Sequence, residues 1–73
     1  MSRALLAARL EIVSGQVSLA EANIRAQCSV IDGLRQRGFA IGDAETCLTI
    51  LQTGLAGHLA ERERLRAQLA NRQ

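Results

Sequence analysis

An all-α fold, a two-helix antiparallel hairpin, is what this chain predicts, on three observations. Alanine and leucine dominate its 73 residues, proline, tryptophan and tyrosine are absent, and Phe39 is the single aromatic; helices favour that composition and sheets do not. Two long stretches carry apolar residues at alternating intervals of three and four, the helical period. Between them, "GFAIGD" at 38–43 is the one place where two glycines, a break in the period and a cap candidate coincide.

The first helix is expected over about 3–37. Leu6, Leu10, Val13, Val17, Ala20, Ile24, Gln27, Ile31 and Leu34 form a seam of coiled-coil type with one polar member, Gln27. Its end is marked by "LRQRG": Arg35 and Arg37 suit the negative end of the helix dipole, and Gly38 suits a left-handed cap. The turn is expected at 38–42, with Gly38 and Gly42 supplying unusual dihedrals. Asp43 is expected to cap the second helix, over about 43–70. There Ala44, Cys47, Leu48, Leu51, Leu55, His58, Arg62, Leu65 and Leu69 share one stripe. The ends, Met1 to Arg3 and Asn71 to Gln73, are expected to fray.

A hairpin this small buries little surface and needs support. Cys28 and Cys47 form no CxxC or Cys/His cluster, so a zinc site is not expected. Helical cysteines of this kind are expected as small buried hydrophobes, reduced in a cytoplasmic setting; a bridge between them is the other reading. Oligomerisation is the remaining support. A second apolar row, Leu5, Ile12, Leu19 and Ala26, runs along a different flank of the first helix, and Ile50, Gly54 and Gly57 lie off the stripe of the second. Leu5, Ile12, Leu19, Ile50, Gly54 and Gly57 are therefore expected to form a dimer or partner surface, with two hairpins pairing as a homodimeric four-helix bundle. The glycines either admit a close neighbour or merely weaken the helices, and composition does not separate the two.

The spacing Ile24-x2-Gln27-x3-Ile31-x2-Leu34-x3-Gly38, then Ala44-x3-Leu48-x6-Leu55-x2-His58-x3-Arg62-x2-Leu65-x3-Leu69, resembles a group of small, mostly proteobacterial helical-hairpin proteins of unknown function. The resemblance covers about residues 21–69 and implies the hairpin, not an activity. Members usually carry Asp-Thr two residues after the glycine, where this chain has Ala40 and Ile41, which leaves the start of its second helix open.

Two polar residues interrupt the second stripe. If the chain reverses symmetrically near residue 40, His58 comes level with Glu21, Arg62 with Val17 to Glu21, and Gln27 with Thr53. Glu21, Gln27, His58 and Arg62 are then a structural polar layer that sets register and partner choice. The functional alternative makes His58 a pH-sensitive switch or a ligand. No metal or cofactor site is expected, since the chain has one histidine and lacks the Glu-x-x-His of di-iron bundles. No catalytic residues are expected either: Cys47 and His58 lie roughly 16 Å apart by helix rise, too far for a nucleophile and its base.

The net charge of +2 is small, and acids alternate with arginines, as in "ERERLR" at 61–66. A phosphate-tracking stripe is not evident. Nor is there an apolar run long enough for a membrane span. A non-enzymatic interaction or regulatory module is therefore expected, cytoplasmic, partnered by itself and by another protein. The alternative is an RNA- or DNA-binding regulator using the face that bears Arg3, Arg9, Arg25, Arg35 and Arg37; a membrane-surface protein is disfavoured by the lack of aromatic anchors.

Overall fold

The computed structural model describes residues 2–71, which form two helices and no strand: α1, Arg3–Gln36, and α2, Gly42–Ala70. They pack antiparallel into a rod of 58 × 14 × 13 Å. The chain is an all-α helical hairpin.

Helix α1 begins at Arg3, and its first turn is held by hydrogen bonds. The Ser2 hydroxyl accepts from the Leu5 amide at 3.1 Å, and the Arg3 guanidinium donates to the Leu69 carbonyl at 3.1 Å. A serine cap satisfies one of the amides a helix start leaves without a partner. Of the ends expected to fray, Ser2 and Arg3 each make a hydrogen bond and Asn71 forms the C-cap of α2. The rest of that expectation, for Met1, Arg72 and Gln73, lies outside the described residues.

At the far end of α1, Gly38 adopts φ 74°. Its amide donates to the Arg35 carbonyl, and the Phe39 amide donates to the Leu34 carbonyl, at 3.0 and 2.9 Å. These two bonds make a Schellman closure, which needs a left-handed residue at that position. Only Gly38 supplies a turn glycine. Gly42, expected in the loop, is the first residue of α2, and Asp43, expected as its cap, lies inside the first turn. The cap position is Ile41, which makes no side-chain cap hydrogen bond. Helix α2 starts early because Glu45 already donates to the Ile41 carbonyl at 2.8 Å. Asp43 and Glu45 then act through their charge on the positive end of the helix.

The seam of α1 is covered along its whole length: Leu6, Val13, Val17 and Ile31 are buried, and Leu10, Ala20, Ile24, Gln27 and Leu34 are half-buried. On α2 only Leu65 is fully buried; Ala44, Leu48, Leu51, Leu55, His58, Arg62 and Leu69 are half-buried. Leu65 packs with Leu6 and Val13, flanked by Leu10 and Leu69, so the tightest core lies at the open end of the hairpin. Cys47, counted in the stripe, is exposed, as is Cys28; both are free thiols. The cysteines are surface residues, because their positions turn away from the single helix each arm has to pack against.

Candidate interaction surface

Two ion pairs show which flanks the hairpin presents. Arg9 meets Glu61 at 3.5 Å on one side of the seam, and Arg35 meets Glu45 at 3.6 Å on the other. All four side chains are partly exposed, so these pairs orient the helices more than they stabilise them. On the Arg35–Glu45 side, the rows running away from those residues by sevens expose Glu21, Cys28, Gln52 and Arg66, while Ser14 and Leu59 of the same rows are half-buried. That flank is predominantly polar.

The Arg9–Glu61 side is different. Gln16, Leu19 and Asn23 of α1 and Ile50, Gly54 and His58 of α2 line a mostly apolar groove of about 230 Å³. A second depression, sharing Gln16, continues it past Ile12 to Arg9 and Glu61. Leu5 precedes Ile12 by two turns and Val30 follows Asn23 by two turns, so both fall on this flank. Every large hydrophobic residue that the described helices expose lies here: Leu5, Ile12, Leu19, Val30 and Ile50, between 49% and 65% exposed. The remaining exposed one, Phe39, is in the loop. The residues expected as a partner surface, Leu5, Ile12, Leu19, Ile50, Gly54 and Gly57, thus fall on one side of the rod. Val30 belongs with them and was missed, because it neighbours Ile31 of the seam and starts no row of its own; counting by sevens from Gln16 and Asn23 finds it.

The glycines on this flank serve no contact within the chain. A β-carbon built at Gly54 or Gly57 meets nothing within 4 Å. Each nonetheless costs α2 roughly 1 kcal/mol relative to alanine.

The expected polar layer is not assembled in this hairpin. Glu21 is exposed, and the Gln27 carboxamide donates to the Ala44 carbonyl at 2.9 Å rather than lying opposite Thr53. His58 faces the groove that Gln16 lines, and half-buried Arg62 keeps its Nε buried without a hydrogen-bond partner. The reason is the loop. Residues 37–41 are not helical, and the cross-helix contacts Arg3–Leu69, Arg9–Glu61 and Gln27–Ala44 centre the reversal near residues 35 and 36. Helix α2 therefore starts well below the end of α1, and a symmetric count about residue 40 pairs the wrong levels.

Among the described residues, no three His, Cys, Asp or Glu side chains gather as metal ligands would, and no helix is long and apolar enough to cross a membrane. Among the α1 arginines, Arg9 and Arg35 pair with acids of α2 and Arg3 bonds a carbonyl, so they divide between both flanks. No family model, curated protein or solved structure matches the chain. The surface has to be interpreted from its own residues.

Proposed function

We propose that the chain is a non-enzymatic protein-interaction module that works as a homodimeric four-helix bundle, its apolar flank buried against a second hairpin. The observation that carries this reading is the segregation of exposed apolar side chains onto one side of the rod. Contiguous apolar surface of this kind marks an interaction site, whereas scattered exposed leucines do not. The thin core points the same way: among the described residues five side chains are fully buried, all of them in or beside one seam. Full burial of a side chain such as Leu5, Ile12, Leu19, Val30 or Ile50 is worth roughly 1.5 to 3 kcal/mol, and a lone hairpin leaves about half of that unused.

Sedimentation equilibrium of the purified chain tests this. A mass of two chains that falls toward one on dilution is the expected result. Ile50→Asp, which places a charge at an already exposed position, shifts that equilibrium to monomer without unfolding the helices. A monomer at every concentration removes the reading.

A further inference from the structure

We infer that the second copy docks antiparallel, loop end against open end, about a two-fold axis level with Leu19 and Gly54. This deepens the homodimer reading and rests on it. The apolar flank of α2 carries Asp43, Ile50, Gly57 and Arg64 at intervals of seven, and all four are exposed. That row is complementary to its own reverse. Turned end over end about its midpoint, Asp43 meets Arg64 of the partner subunit and Ile50 meets Gly57 of the partner subunit. An acid finds a base, one that also pairs with Glu61 of its own helix, and a large side chain finds the space a glycine leaves.

The row on α1 behaves in the same way at the same level. Leu19 lies across the groove from Gly54, near the midpoint of the α2 row. Reversal about Leu19 places Leu19 against the partner's Leu19 and Ile12 against the partner's Ala26, again large beside small. Continued by sevens to Gly33, the α1 row is centred on Leu19, and Leu19 shares one groove with Gly54 near the α2 midpoint. An isologous interface demands that self-complementarity.

Size is adequate. One broad side of a rod measuring 58 by 14 Å offers roughly 800 Å² per copy, about what a standard specific interface buries on each partner. The parallel alternative, loop against loop, leaves Asp43 without a base. It lays each α1 along the partner's α2 at the level seen within one chain, where Arg9 lies beside Glu61 and Leu65. Glu61 and Arg64 of the partner subunit then both approach Arg9, with no net gain, and Asp43 is left over the apolar stretch that ends at Val30.

The experiment uses the full chain with Cys28 and Cys47 replaced by serine. Leu19→Cys, placed on the axis, is expected to oxidise to a covalent dimer, because only a residue near the axis meets its own mate within disulfide reach. Leu5→Cys is expected to stay monomeric under the same oxidation. In parallel, Arg64→Glu and Asp43→Arg each weaken self-association by about tenfold, and the double exchange restores it. Three results overturn the inference. A dimer by sedimentation that Leu19→Cys fails to trap, or a double exchange weaker than either single change, ends the antiparallel geometry while leaving self-association intact. A chain that sediments as a monomer before any substitution ends both.

Discussion

At the scale of single residues, the hairpin turns on groups whose surroundings leave them little choice. Gly38 is held at φ 74° by two carbonyls of the last α1 turn. A β-carbon there has open space around it, so the cost of adding one is conformational and not steric. Gly38→Ala is expected to lower stability by roughly 1 to 2 kcal/mol, measured by urea denaturation at a fixed chain concentration. Arg62 has the opposite character. It occupies a seam position with its Nε buried and unbonded, and an unsatisfied buried donor costs about 1 to 3 kcal/mol. Arg62→Leu is therefore expected to raise the denaturation midpoint; a fall would show that the guanidinium has a partner in the assembled protein. Gln27 is the satisfied counterpart, since its carboxamide spans the seam to the Ala44 carbonyl. That bond ties one level of α1 to one level of α2.

At the scale of elements, the two helices are unequal. Helix α1 has a capped start, a closed end and a seam covered throughout, and it holds four of the five buried side chains described. Helix α2 starts without a side-chain cap and carries threonines that return their hydroxyls to its own backbone. Thr46, Thr49 and Thr53 donate to the Gly42, Glu45 and Thr49 carbonyls, which makes β-branched residues tolerable in a helix at slight cost. Its register depends on its neighbour more than on its own propensity. Glycine separates propensity from packing. Gly15 is exposed in mid-α1, and a methyl group added there meets nothing within 4 Å. Gly15→Ala is therefore expected to stabilise the chain by about 1 kcal/mol. Thermal unfolding followed by circular dichroism reads that gain.

At the scale of the whole molecule, Gly57 makes the contrasting prediction. Within one hairpin it is as open as Gly15, and on propensity alone alanine would help there equally. In the antiparallel dimer the same methyl group meets Ile50 of the partner subunit. Gly57→Ala is therefore expected to weaken self-association several-fold while leaving helix content unchanged, as read by sedimentation and circular dichroism together. An equal gain at both glycines would mean that nothing docks on the flank. The unequal sides of the rod supply the motive: one is polar, and the other exposes Leu5, Ile12, Leu19, Val30 and Ile50.

The all-α class was legible in the amino-acid order alone, because the three-four spacing of apolar residues and the lack of proline leave no stable alternative to helices. So was the face each helix buries, since that face follows from a period of 3.6 residues and local chemistry. Which levels meet was settled by folding in three dimensions. Gln27 found Ala44 and not Thr53, Glu21 found solvent, and Asp43 fell inside α2, because five loop residues advance by amounts that no helical count supplies. Packing likewise left Cys28 and Cys47 exposed and brought the apolar rows of both helices onto one flank. A row of leucines fixes an angle around its own axis; where that angle points depends on the partner helix, and the register between helices depends on the path of the loop.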